Sequence, residues 1–399
     1  MNATDRPVSI TTDDLTEDRF SRFGLIGWWD QEKLRKAKVL VIGAGAIGNE
    51  VLKNLALLGI GRVLVIDLDS IEHSNLSRSV LFRPDDVGCQ KAVIAAQRTR
   101  EIYGDCETVA LTGNVMHEMG LGVFRWADVV IGALDNREAR YFTNRACWKM
   151  NRPWIDGAIE GINGVARAFL PGKPPCYECT LGEVDWKIIE HRMSCSLLTP
   201  EEMERGKTPT TPTTSSIIAG IQVQEALKYL HGLPVLAGKG FVFEGMNHTS
   251  YTVEYTPKAD CESHEIYTNL HSWSKSSAET TLVELHEFAC KQLGSPEVTI
   301  DFSRNIIQSI DCPHCGESTD VFKCVGAVTE EQGKCPSDET MRKVNLIYGF
   351  TGEEDYGNMS IAALGLPSYD VFVARSTERE MQILIQGDEA AVLGAFSAD

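Results

Sequence analysis

Val39-Leu-Val-Ile42 runs directly into Gly43-Ala-Gly45-Ala46-Ile-Gly48, and after an apolar-periodic stretch over 49–58 and the stop Gly59-Ile-Gly61 the chain reads Val63-Leu-Val-Ile66-Asp67. An unbroken run of apolar β-formers is the pattern of a strand buried on both faces. Two such strands around one helix form a strand-turn-helix-strand unit, the opening of a doubly wound, Rossmann-like α/β sheet. Gly43, Gly45 and Gly48 give the GxGxxG spacing at the first turn. There the backbone turns tightly and approaches a phosphate, and the helix N-terminus offers free N–H groups and a partial positive charge. Asp67, at the end of the second strand, stands where a carboxylate accepts ribose hydroxyls. Alone, the motif says only "nucleotide", and on that ground NAD leads ATP.

The same alternation continues on either side. Upstream, residues 1–20 are polar and expected to be flexible, and 22–36 reads as a helix. Downstream come a helix over 89–103, strands at 109–111 and 128–131, a helix over 137–150 and a strand at 154–156. Alternating residues over 160–172 and 241–256 predict antiparallel strands, and the Thr-, Pro- and Glu-rich stretch 199–216 an exposed crossover loop. Ser215 or Ser216 is placed to cap a helix over 217–230. From about 267 a second, smaller unit follows. It has a helix over 281–293, paired strands at 298–302 and 305–311, a cysteine knuckle, and strands near 343–348, 369–375 and 380–386.

Composition narrows the partners. The 399 residues carry a formal net charge of -18, which argues against nucleic acid and against an anionic membrane, since both demand excess positive charge. No apolar run is long enough to span a bilayer, and MNATDRPVSITTDD lacks a signal pattern, so a cytoplasmic location is the default expectation, with the 12 cysteines reduced. Cys147 and Cys290 sit among apolar residues and read as core. Cys176/Cys179 and Cys312/Cys315 are close pairs, which reads as metal binding.

Several separated motifs then occur in order. Asp67-Leu-Asp69-Ser-Ile-Glu-His-Ser74-Asn75-Leu-Ser-Arg78 is followed by Ser79-Val-Leu-Phe82 and by Asp86-Val-Gly-Cys-Gln-Lys91-Ala; Leu134-Asp135-Asn136 comes later, and Arg19-Phe-Ser-Arg22-Phe earlier. Over about residues 19–266 this resembles the ubiquitin-activating and ThiF/MoeB-like adenylating superfamily, with its S-N-L-x-R-Q-x-L-F, D-V-G-x-x-K-A, L-D-N and R-Y-x-R-Q motifs. It departs in having Ser79 where Gln is usual and no Gln after Arg22. The resemblance implies an ATP site built from Gly43, Gly45, Ala46, Gly48, Asp67, Asp69, Ser74, Asn75, Arg78, Lys91, Asp135 and Asn136. Arg78 and Lys91 would face the phosphate charge and Asp135 would hold magnesium. Arg22 would reach into a neighbouring subunit's site, which implies a homodimer.

Pro175-Cys176-Tyr-Glu-Cys179 is a C-x2-C knuckle suited to tetrahedral zinc. Where the family carries a second C-x2-C, this chain has Cys261-Glu-Ser-His264, so the expected set is Cys176, Cys179, Cys261 and His264. Cys312-Pro-His-Cys315-Gly is a second knuckle. Lys334-Cys335-Pro-Ser-Asp338 reads as its altered partner, with Asp in place of the last Cys, and Cys324 is expected to complete a second zinc site with Cys312, Cys315 and Cys335. A competing pairing joins Cys176/Cys179 to Cys312/Cys315.

The resemblance implies adenylation of the C-terminal glycine of a ubiquitin-like or sulphur-carrier protein. In ubiquitin-type activators a cysteine in the crossover region then takes the acyl group. Cys195 lies there, beside His191 and Arg192, whose charge lowers a thiol's pKa. Residues 360–386 are similar to the end of a β-grasp domain, which in such enzymes recruits a conjugating enzyme. The expected layout is thus a flexible 1–20, an adenylation domain over 21–266 with its catalytic-cysteine segment at about 185–214, and a zinc-containing α+β, β-grasp-like domain over 267–399. A compact activator of this build suits a bacterial ubiquitin-like system. The competing readings are a sulphur-carrier adenylyltransferase and a non-catalytic scaffold subunit.

Overall fold

The computed structural model describes residues 18–193 and 209–398. Strands β1 (Lys38–Ile42), β2 (Arg62–Asp67), β3 (Glu107–Thr112), β4 (Val129–Gly132) and β5 (Trp154–Glu160) are parallel, and β6 (Asn163–Phe169), β7 (Lys239–Glu244) and β8 (Thr249–Glu254) extend the sheet antiparallel, in the order β3-β2-β1-β4-β5-β6-β7-β8. The order reverses direction between β1 and β4, the crevice where open α/β sheets bind ligands.

Alternation along the buried strands sends side chains to two cores. Val39, Val41, Val63 and Val65 pack with Val51, Leu55 and Ala95 of helices α2 (Ala46–Leu58) and α3 (Lys91–Ile102), which follow α1 (Gln31–Lys36), and with Val223 of the long helix Pro212–Leu230. Leu40, Ile42, Leu64 and Ile66 face the other way, onto Phe124 and onto Tyr141 and Cys147 of the helix Arg137–Lys149.

A second sheet runs β11-β10-β13-β14-β9, with β12 also paired to β10. Its strands are β9 (Leu270–Trp273), β10 (Thr299–Asp311), β11 (Ser318–Cys324), β12 (Lys343–Phe350), β13 (Val371–Arg375) and β14 (Glu380–Ile385). The helix Leu282–Leu293 lays Leu282, Leu285 and Ala289 against Ile300, Phe372 and Ile383 of this sheet, an α+β build. This unit shares the core of the first: Tyr369, Val371, Leu384 and Phe396 join the cluster of Leu40 and Phe124, and Phe396 stacks on Trp126 with ring centroids 5.1 Å apart.

Three local expectations change. Residues 22–36 form a short 3-10 turn, Phe23–Leu25, and a helix only from Gln31, where the Asp30 side chain accepts the N–H groups of Glu32 and Lys33. The helix expected over 217–230 begins at Pro212 and is capped by Thr211, while Ser215 and Ser216 lie inside it and donate to the carbonyls of Thr211 and Pro212. The two strands expected at 298–302 and 305–311 are one strand, β10, whose register shifts between Asp301 and Ile306 let it stay paired with β12.

Candidate functional site

A cavity of about 360 Å³ opens at the C-terminal edge of β1, β2 and β4. The Gly43–Gly48 turn forms one wall. Gly43 has φ +97°, and a Cβ there would lie 2.4 Å from the Ala133 carbonyl oxygen, so β1 and β4 close together only over a glycine. Gly48 lies outside the cavity lining; it lets α2 start tight against the turn. Gly45, the N-cap of α2, faces open space, with nothing within 4 Å of where a Cβ would stand, as a phosphate cradle requires.

Asp67 closes β2 beside that turn. Its carboxylate accepts the Ala44 N–H at 2.6 Å and the Asp69 N–H at 2.8 Å. Burial pushes the Asp67 carboxyl above the usual range, against the opposing pull of Lys91 and these two N–H groups. Lys91, the first residue of α3, is buried and paired with Asp69 at 2.7 Å. Asn75 and Arg78 line the cavity from the loop after β2; the Arg78 guanidinium donates to the Ser74 carbonyl at 2.7 Å. Ser74 itself stands off the lining, its hydroxyl turned to Glu72.

Asp135 and Asn136 enter from the end of β4. Asn136 caps the helix Arg137–Lys149 by accepting the Ala139 N–H at 2.8 Å, and its amide donates to Asp135 at 3.2 Å, which orients the carboxylate. Ala46 and Asp69 also line the cavity. The structure therefore brings together Gly43, Gly45, Ala46, Asp67, Asp69, Asn75, Arg78, Lys91, Asp135 and Asn136. Exposed Arg22 is not among the lining residues of this chain's cavity, and Cys195 lies outside the described residues.

Two residues missed by sequence reasoning hold this site. Buried Asn49 donates to the carbonyls of Ala44 and Gly45 at 2.6 and 3.0 Å and accepts the Leu81 N–H at 2.8 Å, tying the glycine turn to the loop that follows Arg78. Arg140, one turn into the helix behind Asp135, donates to the carbonyls of Leu134 and Gly157 and to Asp156, which also takes Arg167. It fixes the strand end that carries Asp135. Their signal was a polar residue in an otherwise apolar helix face and an arginine four residues after Asn136. The loop Gly113–Met116 completes the wall.

Away from the cavity, two cysteine clusters form. Cys176, Cys179, Cys261 and His264 place one ligand atom each within 4.8 Å of one another. Cys176 Sγ lies 3.8 Å from Cys179 Sγ and 3.5 Å from Cys261 Sγ, and Cys179 Sγ lies 3.4 Å from His264 Nε2. Zinc–thiolate bonds of about 2.3 Å put the sulfurs of a tetrahedron about 3.8 Å apart, so this donor set fits zinc. The Lys258 N–H points at Cys179 Sγ, and the Trp148 ring lies tilted against the His264 ring with centroids 4.5 Å apart. The competing pairing with Cys312/Cys315 does not form. The second cluster holds Cys312, Cys315 and Cys335 without Cys324. Contrary to expectation, Cys324 does not join it: it ends β11 facing away from the cluster, and its thiol meets the carbonyls of His117 and Gly365.

The ThiF family model matches residues 18–263. The SAMP-activating enzyme E1 of Haloferax volcanii is 32% identical over 269 residues, covering 64% of this chain and 91% of that protein. The SUMO-activating enzyme subunit uba-2 of Caenorhabditis elegans is 43% identical over 149 residues, covering 37% of this chain and 26% of that one, so this chain spans about a quarter of that relative's length. The sulfur carrier protein ThiS adenylyltransferase of Bacillus subtilis is 37% identical over 168 residues, 41% of this chain and 50% of that protein. Among solved structures, E. coli MccB with ATP is similar at a TM-score of 0.52 and 25% identity, over 62% of this chain and 74% of that chain.

Proposed function

The chain belongs to the ThiF family, and from that premise we propose that it activates a ubiquitin-like protein by adenylating its C-terminal glycine with ATP. The observation that carries this reading is the meeting of Arg78, Lys91 and Asp135 in one cavity with the Gly43–Gly48 turn. A dinucleotide oxidoreductase leaves those three without a task. A glycine carboxylate displacing pyrophosphate from the α-phosphate needs cations around the phosphates more than covalent chemistry.

In this reading Asp67 takes the ribose, the helix N-terminus at Gly45 faces the phosphates, and Arg78 and Lys91 balance their charge. Lys91 exchanges its partner Asp69 for phosphate oxygens. Asp135 would hold magnesium, which supplies charge neutralisation across phosphate oxygens. Arg140 and Asn136 keep Asp135 in place. Arg22 completes the site of a partner subunit in a homodimer. The Cys195 thiolate then takes the acyl group from the adenylate as a thioester, breaking the acyl–phosphate bond and releasing AMP, and the carrier passes to a conjugating enzyme.

The test is ATP–pyrophosphate exchange in the presence of a C-terminal-glycine carrier. Asp135→Ala is expected to lower exchange by about 100-fold or more with folding intact by circular dichroism; unchanged exchange removes the site assignment. A second reading, a sulphur-carrier adenylyltransferase, draws on the similarity to the Bacillus subtilis enzyme. Cys195→Ala separates the two. For a ubiquitin-type activator it spares exchange and abolishes a reductant-sensitive carrier conjugate; if wild type forms no such conjugate, the sulphur-carrier reading stands.

A further inference from the structure

Two turns in the second unit share one local design. Cys312-Pro-His-Cys315 is closed by Gly316 at φ +72°, and Cys335-Pro-Ser-Asp338 by Glu339 at φ +58°. In each, the N–H of the closing residue returns to the first cysteine's carbonyl, Gly316 to Cys312 at 3.1 Å and Glu339 to Cys335 at 2.9 Å. Further N–H groups point at the sulfurs, those of His314 and Cys315 at Cys312 and that of Ser337 at Cys335. Left-handed backbone is natural for Gly316, but a glutamate adopts it at a cost. The second turn keeps the knuckle conformation without the residue that makes it easy.

The turns face each other. Cys315 Sγ and Cys335 Sγ are 3.8 Å apart, the edge of a thiolate tetrahedron around zinc, and the three sulfurs of Cys312, Cys315 and Cys335 lie within 4.8 Å of one another. In the position that Cys315 holds in the first turn, the second has Asp338, whose carboxylate stands beside the three-sulfur group and turns inward to complete it on ligation. Its Oδ2 meets His314 Nδ1 at 3.1 Å and its Oδ1 accepts the Thr340 N–H at 3.1 Å. Carboxylate oxygen is an ordinary zinc donor, and an outer imidazole commonly orients such a ligand.

We propose that Cys312, Cys315, Cys335 and Asp338 hold a second zinc ion, with His314 positioning the Asp338 carboxylate from outside. The ion ties the β10–β11 turn to the turn that precedes β12, adding to the bonds His314–Asp338 and Arg342–Thr319 that already link them at this end of the sheet. A metal clip of this kind stabilises by closing a loop that is open in the unfolded chain.

The experiment measures zinc content of the purified full chain by plasma mass spectrometry, then zinc affinity against a chromophoric chelator and the absorption of the cobalt-substituted protein. Wild type is expected to carry two zinc ions per chain. Cys335→Ser keeps one, and Cys261→Ser loses the other. Asp338→Ala weakens the second site by about 10- to 100-fold. Asp338→Cys keeps two ions and strengthens the cobalt–thiolate charge-transfer band, and His314→Ala also keeps two. One ion per chain in wild type, insensitive to Cys335→Ser, overturns the site. Undiminished affinity in Asp338→Ala overturns Asp338 as ligand, leaving three thiolates and water. A loss in His314→Ala larger than that in Asp338→Ala gives the fourth position to His314 and overturns the assignment.

Discussion

A methyl group on Gly48 would stand 1.9 Å from the Gly43 carbonyl oxygen, whereas one on Gly45 would meet no protein atom within 4 Å. The two glycines of one motif therefore do different work: Gly48 permits packing and Gly45 leaves room for a ligand. Gly48→Ala is expected to cost about 1–3 kcal/mol of stability and to raise the KM for ATP. Gly45→Ala is expected to keep the melting temperature of wild type while weakening ATP. Thermal melts of both, beside nucleotide titrations, check this; equal destabilisation by both would contradict it. At this scale the sequence was readable wherever a residue acts through its own backbone or charge. Gly43 and Asp67 were read that way, from glycine spacing and a carboxylate at a strand end, whereas Arg78, Lys91 and Asp135 were named by resemblance to the family motifs. Asn49 and Arg140 were found neither way, because each acts by holding another segment's carbonyl groups.

At the level of elements, the cluster of Cys176, Cys179, Cys261 and His264 joins the 3-10 turn Glu178–Thr180 to the one at Glu262–His264, and packs both on Trp148 of the helix Arg137–Lys149. That helix carries Asn136 and Arg140 at its other end. Metal loss here should loosen the support of the nucleotide site as well as the knuckle. His264→Cys is expected to retain zinc at this site, because it restores four thiolates, while His264→Ala lowers affinity and melting temperature. A chelator titration followed by scanning fluorimetry measures both. The knuckle Cys176/Cys179 was legible from spacing alone. Its partners were named by resemblance to the family motif, since no local pattern links residues 85 positions apart.

On the scale of the whole molecule, the second unit braces the nucleotide cavity. Arg304 of β10 donates to the carbonyls of Met116 and Met119 at 2.9 and 2.5 Å and pairs with buried Asp370 at 3.1 Å, while Asp370 accepts the Leu121 N–H at 2.8 Å. Met116 lines the cavity, so this seam sets the position of one wall. His117 lies in the seam, packed against Gly326. Burial, helped by the Arg304 charge, pushes its imidazole down from 6.5 to about 4. Between those values the unfolded chain binds the extra proton, so stability rises with pH across the window and is lost as pH falls from 6.5 towards 4. Melting temperature measured from pH 7.5 to 5 should therefore fall more steeply for wild type than for His117→Asn; parallel slopes would show that His117 does not report on the seam.

The amino-acid sequence by itself determined the doubly wound sheet, the glycine turn at its switch point and the two cysteine knuckles, because apolar runs, glycine spacing and C-x2-C turns act over a few neighbouring residues. Only the tertiary structure decided that Thr211 rather than a serine caps the long helix, that Cys324 turns away from the second cluster, and that the second unit shares a core with the first. Those outcomes depend on which distant surfaces meet, as Leu121 meets Asp370 across 249 positions of chain. Such pairings are settled by the joint packing of two sheets, a property that no local stretch of residues carries.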